Sequence, residues 1–258
     1  MLLAIDIGNT AISLGVLKKG MVTRRYAAPT AGTQRERHLH LQRLFQKIRH
    51  QYPSLESVII CSVVPEVLKI VDPMVRRQLC VKPLVVGRDI EVPIQNNYKN
   101  PRQVGHDRLV GAYAAKCLYG CPCLVIDFGT AITFDVVSRK GAYEGGIILP
   151  GLRLSTEALF QKTALLPRIE EIKIPRALIG RETQESILSG IFNGYGAMCR
   201  GLIDLIAAEI HSRPQVIVTG GYTQLMKKFI AKKIDHMDSD LVLKGMLLLQ
   251  TSCIKKKS

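Results

Sequence analysis

Apolar and polar positions follow the same order of patterns twice along this 258-residue chain. Residues 2–16 and residues 124–136 each begin with an apolar run, pass an Asp and a glycine-containing turn, and continue as a second alternating run. Two such runs joined by a short Gly-containing turn predict a β-hairpin. The two aspartates, Asp6 and Asp127, are 121 positions apart, close to half the chain. The repeat therefore predicts two similar lobes.

Helical and strand-like patterns follow each predicted hairpin. Apolar residues recur at spacings of three and four over 36–51 and 184–210, which predicts helices. Apolar runs at 57–64 and 215–221 predict one further strand in each half, and 241–249 predicts a packed terminal helix. Hairpin, helix and strand, occurring twice, are typical of a paired α/β fold.

A turn-rich stretch, Tyr119-Gly120-Cys121-Pro122, precedes the second hairpin and predicts the boundary between the lobes. We therefore expect an N-terminal lobe over 1–119 and a C-terminal lobe over 120–258. No low-complexity linker separates the halves, so the lobes are expected to share an interface and a cleft. The tail from Lys255 to Ser258 is expected to be mobile.

The charge balance narrows the choice of partners. The chain has 36 Lys and Arg against 21 Asp and Glu, which gives a formal net charge of +15. Such a field favours nucleic acid, an anionic membrane face, or a phosphorylated or carboxylated small molecule. The basic residues are scattered along the sequence and Trp is absent, so no aromatic platform for stacking bases is predicted. Nucleic acid is therefore not expected as a partner, and a solvated basic surface is the simpler interpretation.

The cysteines and the N-terminal sequence indicate the compartment. Seven cysteines is an odd number, and Met-Leu-Leu-Ala-Ile-Asp lacks the basic start and unbroken apolar run of a signal peptide. Both features predict a reducing, cytoplasmic setting. Cys117, Cys121 and Cys123 have spacings that match no zinc site, so buried free thiols are expected there. No run of about eighteen apolar residues occurs, so no membrane partner is expected.

The first hairpin turn combines groups that can bind a nucleotide phosphate. Asp6-Ile7-Gly8-Asn9-Thr10 offers backbone N–H groups and a hydroxyl to phosphate oxygens, and the carboxylate can hold a hydrated Mg²⁺. Alone, these residues could form only a tight hairpin, because Asn and Gly are ordinary turn formers. A similar turn occurs at Asp127-Phe-Gly129-Thr130 and favours phosphate binding over a purely structural hairpin. Two such turns facing each other across a cleft would hold the phosphates between them.

Other nucleotide-binding motifs are missing from the sequence. There is no Gly-x-x-x-x-Gly-Lys-Ser/Thr motif, and Gly194-Tyr-Gly196 with Gly201 lies inside a helical pattern instead of following a strand. Close helix packing is therefore expected at these three glycines.

Several ordered motifs together resemble the type III pantothenate kinase family. They are Asp6-Ile-Gly8-Asn9-Thr10, Tyr98-Lys-Asn-Pro101, Gly105-His106-Asp107-Arg108, Asp127-Phe-Gly129-Thr130-Ala-Ile-Thr and Gly145-Gly146-Ile-Ile-Leu-Pro150-Gly151, followed by Thr183, Ser189-Gly190 and Thr219-Gly220-Gly221. The resemblance runs from Asp6 to about Leu248. It implies two ribonuclease H-like lobes of the actin-like ATPase fold, in the acetate and sugar kinase, Hsp70 and actin superfamily, with ATP in the cleft between the lobes. It also implies ATP-dependent phosphorylation of pantothenate to 4'-phosphopantothenate, the first step of coenzyme A biosynthesis, by a homodimer.

The resemblance assigns the catalytic base to Asp107. Its context suits that role, because a carboxylate beside Arg108 stays ionised and can accept the hydroxyl proton. The alternative is a structural Asp–Arg pair that opens a helix over 109–118. For Thr183 the alternative is a helix N-cap, and for Tyr98 it is ordinary packing. The pantothenate-binding residues that the resemblance implies are Tyr98, Gly105, His106, Arg108 and Thr183.

The resemblance also implies an ATP site and two cation sites. Asp127 matches a monovalent cation site for K⁺ or NH₄⁺, and Asp6 would hold Mg²⁺ or another divalent cation through water. The ATP-binding residues implied are Asp6, Ile7, Gly8, Asn9, Thr10, Ala11, Ile12, Ser13 and Thr130. Three positions depart from the family pattern: Ala11 where a polar residue is frequent, Glu182 where Asn is usual, and His106 at a variable position.

Two other functions remain compatible with this sequence. One is a transcription-accessory or regulatory protein of the same fold without kinase activity, and the other is a kinase or phosphatase acting on a sugar or acetate. The presence of Asp6, Asp107 and Asp127 favours a kinase over a regulator. The ordered set of Tyr98, Gly105–Arg108 and Thr183 favours pantothenate over a sugar or acetate.

Overall fold

The structure, a computed structural model, describes residues 1–255. Of the tail expected to be mobile from Lys255 to Ser258, Lys255 is the last residue of the terminal helix, and 256–258 lie outside the described residues. Within 1–255, ten strands form two five-stranded sheets. The first sheet has the order β3-β2-β1-β4-β5, with β1 (Leu2–Ile7), β2 (Ala11–Lys18), β3 (Met21–Pro29), β4 (Ser57–Ser62) and β5 (Leu84–Val85). The second has the order β10-β9-β6-β7-β8, with β6 (Cys123–Phe128), β7 (Ala131–Val137), β8 (Tyr143–Pro150), β9 (Gln215–Thr219) and β10 (His236–Met237).

The two sheets repeat one topology. In each, the central strand pairs antiparallel with the next strand in sequence and parallel with the fourth strand of its own half. The pairing between the second and third strands shifts register at Val16/Leu17 in the first sheet and at Val136/Val137 in the second. The prediction of two hairpin-containing lobes of one type is therefore confirmed.

Helices connect and cover the strands. They are α1 (Gln34–Gln51), α2 (Pro65–Leu79), α3 (His106–Tyr119), α4 (Leu152–Lys162), α5 (Thr183–Ser189), α6 (Tyr195–Glu209), α7 (Thr223–Ile230) and α8 (Leu241–Lys255). Helix α1 begins with a capping box, in which Thr33 Oγ1 accepts the Glu36 N–H and the Glu36 side chain accepts the Thr33 N–H. None of the helices described is long and apolar enough to cross a membrane.

The central strand β1 is buried on both faces. Leu3, Ile5 and Ile7 pack in one core with apolar side chains of α1 and α2, whereas Leu2 and Ala4 pack in another with side chains of α3 and α8. In the second sheet, alternate residues of β6 pack against α5, α6 and α7. Burial on both faces explains why β1 reads as a continuous apolar run instead of an alternating one.

The chain divides into two compact units. The first unit joins Met1–Ala114 to the segment from Asp240 onward, and the second is Ala115–Ser239. This division differs from the expected ranges 1–119 and 120–258, because it falls within α3 and assigns α8 to the first unit. The apolar face of α8, including Leu243 and Met246, belongs to a core of that unit.

Two predicted helices differ from those observed. The helix expected over 184–210 is interrupted between α5 and α6 by a π-helical turn at Gly190–Gly194, where two glycines lower helix propensity. The terminal helix expected over 241–249 continues to Lys255.

The close helix packing expected at three glycines occurs at one of them. A Cβ on Gly196 would fall 2.7 Å from Phe229 Cβ, whereas a Cβ on Gly194 or Gly201 would meet nothing within 4 Å.

The cysteines are free thiols. Cys123 is buried and Cys121 is half-buried, but Cys117 is exposed, so the expectation of buried thiols is wrong for Cys117. Cys117 lies in the last turn of α3. The neighbouring Leu118 is also exposed, so this end of the helix faces solvent.

Candidate functional site

The first hairpin turn is held by backbone and side-chain hydrogen bonds. Asp6, half-buried, lies near the carboxyl end of β1 opposite Ser13 on β2. The Gly8 N–H donates to Ala11 O at 3.0 Å and closes the turn. Asn9 and Thr10 at its tip are exposed. The residues expected to bind ATP in this lobe, Asp6 to Ser13, therefore form one continuous hairpin.

Thr30, just after β3, fixes this turn from the side. Its Oγ1 donates to Gly8 O at 2.7 Å and its N–H donates to Thr10 O at 3.0 Å. Thr30 is itself buried. These two bonds hold both ends of the turn tip in one conformation.

The second hairpin turn repeats this arrangement with one residue fewer. Asp127 lies near the end of β6 opposite Thr133, and the Gly129 N–H donates to Ala131 O at 3.1 Å. Gly151 donates its N–H to Thr130 O at 3.0 Å, as Thr30 does to Thr10. The second turn has no counterpart of Asn9. Thr130 at its tip is exposed.

Gly220 approaches the Asp127 carboxylate closely. It has φ +96°, and a Cβ at this position would overlap Asp127 Oδ1 and fall 2.7 Å from both N and C of Phe128. A side chain is therefore excluded both by the backbone conformation and by the space. The Tyr222 N–H donates to Phe128 O at 3.1 Å and holds the loop after β9 against the end of β6.

Asp107 lies in the first turn of α3. Its Oδ1 accepts the backbone N–H of Arg108 at 2.8 Å, a favourable position for a negative charge near a helix N-terminus. A Cβ at Gly105 would fall 2.5 Å from the same oxygen, so a glycine leaves room for this carboxylate. The helix opens at His106 rather than at Leu109.

The electrostatic environment of Asp107 differs in one respect from the sequence-based expectation. Burial raises the pKa of Asp107, and the N–H and charge of Arg108, although they act in the opposite direction, do not cancel it. A carboxylate with a raised pKa is a stronger proton acceptor. The environment therefore suits a base better than the Arg108 charge alone would.

Cys61 connects Asp107 to the first hairpin. This buried thiol lies on β4 opposite Asp6. Burial raises the pKa of Cys61, and the negative charges of Asp6 and Asp107 raise it further. A geometric link runs through Gly105, where a Cβ would fall 2.5 Å from Asp107 Oδ1 and 3.4 Å from Val63 Cγ1. The Val63 N–H donates to Ile7 O at 3.1 Å, so the expected base lies near the end of the strand that carries Asp6.

The other residues expected to bind substrate lie in two places. His106 packs against Gly87, where a Cβ would fall 2.9 Å from His106 Cδ2. Tyr98, in the connection between β5 and α3, is half-buried and donates its N–H to Asn96 Oδ1 at 3.0 Å. Thr183 is the exposed first residue of α5, in the second unit. Its N-cap alternative is wrong, because Glu182 occupies that position and makes no side-chain cap bond.

The expected cation ligands, Asp6 and Asp127, each lie one residue before the end of a central strand. Within 1–255 no group of three or more His, Cys, Asp or Glu side chains could hold a metal ion. A divalent cation here would thus depend on few protein groups, as hydrated Mg²⁺ does. Asp127 offers carboxylate oxygen, the ligand type that such cations take, and the close approach of Gly220 fixes the backbone beside it.

Sequence reasoning missed three contributors to this site. Thr30 follows an edge strand that was not predicted, and its bonds to the turn join residues about twenty positions apart. Cys61 was assigned from the sequence only to the strand predicted over 57–64, without a role in the site. Gly87, at φ +82° after the apolar run of β5, was also missed, although a glycine directly after a strand was an available signal.

The family model and the curated relatives described here agree on one family. A model of the type III pantothenate kinase family matches residues 2–205. A type III pantothenate kinase from Halalkalibacterium halodurans is 38% identical over 96% of this chain and 98% of the relative. One from Persephonella marina is 41% identical over 95% of this chain and 96% of the relative. Among solved structures, a ROK family glucokinase from Streptomyces griseus in complex with glucose and AMPPNP has a TM-score of 0.56 at 14% identity, covering 97% of this chain and 99% of that one.

Replacement of Gly220 tests the close approach at Asp127. We expect Gly220→Ala to lower the stability of the protein by at least about 1–2 kcal/mol, because Ala disfavours this backbone conformation. Gly221→Ala is the matched control, since a Cβ there meets nothing within 4 Å. Urea unfolding of both variants measures the difference. Equal stability of the two variants would contradict the packing described for this loop.

Proposed function

We propose that this chain, which belongs to the type III pantothenate kinase family, transfers the γ-phosphoryl group of ATP to the terminal hydroxyl of pantothenate. The products are 4'-phosphopantothenate and ADP, and the reaction is the first step of coenzyme A biosynthesis. The observation that carries the proposal beyond family membership is the position of Asp107 beside the end of β1. A Cβ at Gly105 would fall 2.5 Å from Asp107 Oδ1 and 3.4 Å from Val63 Cγ1, and the Val63 N–H donates to Ile7 O at 3.1 Å. This position puts a proton acceptor and a candidate cation ligand in one neighbourhood.

Asp107 is the proposed catalytic base. Its carboxylate accepts the proton of the pantothenate hydroxyl while the hydroxyl oxygen bonds to the γ-phosphorus and the bond to the ADP oxygen breaks. The Arg108 N–H holds Asp107 Oδ1 at 2.8 Å, and Gly105 leaves space beside it. Phosphoryl transfer needs positioning and charge neutralisation more than covalent chemistry from the protein, and a held carboxylate suits that requirement.

Pantothenate is proposed to contact the residues around this base. Gly105, His106 and Arg108 are its chain neighbours, and Tyr98 lies in the segment that leads to them. Thr183 is proposed as a further contact, and its exposed hydroxyl is not used to cap α5. Glu182 beside it is the position at which substrate hydrogen bonding is expected to differ from that of the family.

ATP is proposed to bind through Asp6 to Ser13 and Thr130. Asn9 and Thr10 at the tip of the first turn are exposed, and Thr30 holds the turn; a turn of this kind suits phosphate oxygens. Asp6 would hold Mg²⁺ through water, and Asp127 would hold K⁺ or NH₄⁺. When bound, these cations neutralise phosphate charge.

A homodimer and a cytoplasmic location complete the proposal. Large apolar side chains are exposed in the second unit, among them Ile148 on the edge strand β8, Leu178 and Ile179. Exposed apolar side chains of this kind support an interface between subunits. The free cysteines support a reducing compartment.

Asp107→Asn tests the base. We expect turnover in a coupled assay of pantothenate-dependent ADP release to fall by about 10²–10⁴-fold, because the amide keeps the shape but cannot accept the proton. Asp204→Asn is the matched control, because Asp204 is an exposed carboxylate paired with Lys233. Turnover of Asp107→Asn within a few-fold of the parent would contradict the assignment.

Thermal unfolding of the same variant distinguishes lost chemistry from lost folding. The raised pKa of Asp107 means that folding disfavours its ionised form relative to the unfolded chain. Its ionisation therefore opposes folding as the pH rises through that pKa. Asp107→Asn should unfold at a temperature equal to or above that of the parent at neutral pH, and the difference should shrink toward the ordinary carboxyl pKa, about 4.

The monovalent cation is tested by ion replacement. We expect turnover to fall when K⁺ is replaced by Na⁺ or by a bulky organic cation at constant ionic strength, because Asp127 would then lack its matched ion. Asp127→Ala should remove the response to K⁺ while Asp204→Asn keeps it. An equal rate in all salts would contradict the cation site. It would not contradict the kinase activity, which Asp107→Asn tests separately.

A further inference from the structure

More than half of the net positive charge lies in one short part of the chain. Residues 18–55 contain nine Lys and Arg and one acidic residue, Glu36, in a protein whose total charge is +15. This part comprises the end of β2, the edge strand β3 and helix α1. Three of the six histidines also lie there.

The packing of β3 against α1 brings part of this charge together. Strand β3 lies beside α1, and Lys47 Nζ lies 5.9 Å from the centre of the Tyr26 ring. Tyr26 also bonds to Gln51 at the end of α1. Arg24, Arg35, Arg43, Lys47 and Arg49 are all exposed, and we call these five residues the basic face.

Neighbouring acids do not neutralise the basic face. Among the described residues, Arg25 of this segment pairs with a carboxylate, Asp240, but none of the five residues of the basic face forms an ion pair. Glu36 accepts bonds from Thr33 in the cap of α1. Protection of a sheet edge from pairing explains basic residues on β3, but it does not explain those on α1.

The basic face carries little exposed apolar surface, which favours nucleic acid over insertion into a membrane interface. The apolar side chains Leu41, Phe45 and Ile48 of α1 are buried in the core, and Leu39 is the large apolar side chain of this helix that is exposed. Helices that lie in a membrane interface present an apolar face. Phosphate groups of nucleic acid require cations alone.

We propose that the basic face binds nucleic acid through its phosphate backbone, without reading sequence. Helix α1 has 18 residues and is therefore about 27 Å long, which matches about eight base-pair steps of duplex. The proposal is independent of the kinase function. It departs from the expectation that nucleic acid is not a partner. That expectation rested on basic residues scattered over the whole chain, whereas the basic face lies within residues 24–49, which contain one acidic residue.

Fluorescence anisotropy with a labelled duplex DNA of about 20 base pairs, and with a single-stranded RNA of equal length, tests the proposal. We expect a Kd of about 10⁻⁶–10⁻⁴ M near physiological salt and a linear fall of log K with log salt. The triple variant Arg35→Glu, Arg43→Glu and Lys47→Glu should weaken binding at least tenfold. The salt slope should shrink by about 0.9 for each phosphate that the variant no longer neutralises.

The matched control carries the same change in charge at exposed lysines elsewhere. It is the triple variant Lys140→Glu, Lys227→Glu and Lys232→Glu, which should keep most of the affinity. Circular dichroism melting shows that both triple variants are folded. Equal weakening in the two would overturn the proposal in favour of diffuse attraction. Absence of saturable binding to either nucleic acid, or tighter binding to phosphatidylserine vesicles, would also overturn it.

Discussion

The site depends on where a central strand can carry a carboxylate. Strands β1 and β6 lie in the middle of their sheets, and their apolar side chains are buried. An ionised carboxyl group inside such a strand would lose its hydration without a partner. In both strands the carboxylate occurs one residue before the strand ends, at Asp6 and Asp127, where the hairpin turn begins. The need to bury the strand therefore places the acid next to the turn whose N–H groups suit phosphate.

The close approach of a glycine then shapes the surroundings of two carboxylates, Asp127 and Asp107. Gly220 lies against Asp127, and Gly105 lies against Asp107. At Asp107 the same crowding buries the carboxylate and raises its pKa. Proton acceptance by Asp107 and stability of the fold at neutral pH thus oppose one another, as expected at a site selected for chemistry.

The local parts of this arrangement could be predicted from the sequence. Each hairpin with an Asp before its turn follows from an apolar run, an Asp and a glycine within a few residues. The strand order repeats in the second sheet, as the sequence repeat predicts. The assignment of α8 to the first unit could not be predicted, because apolar periodicity shows that a face is buried but not against which partner.

Long-range neighbours in the site were beyond the same reasoning. Thr30 bonds to Gly8 across 22 positions, and Cys61 lies opposite Asp6 only because β4 pairs with β1. The basic face is a similar case, since Arg24 and Lys47 are brought together by the packing of β3 and α1 around Tyr26. Tertiary structure determines these neighbours, whereas residue type and spacing determine the turns.

The central claim is that the chain moves a phosphoryl group from ATP to the terminal hydroxyl of pantothenate. Phosphorus NMR of a mixture of the protein, ATP, Mg²⁺, K⁺ and pantothenate tests it most directly, because the technique separates a phosphate ester from free phosphate. The account predicts that ADP and one new phosphomonoester form in equal amounts and only when pantothenate is present. Release of inorganic phosphate without an ester, or unchanged ATP in the complete mixture, would contradict it.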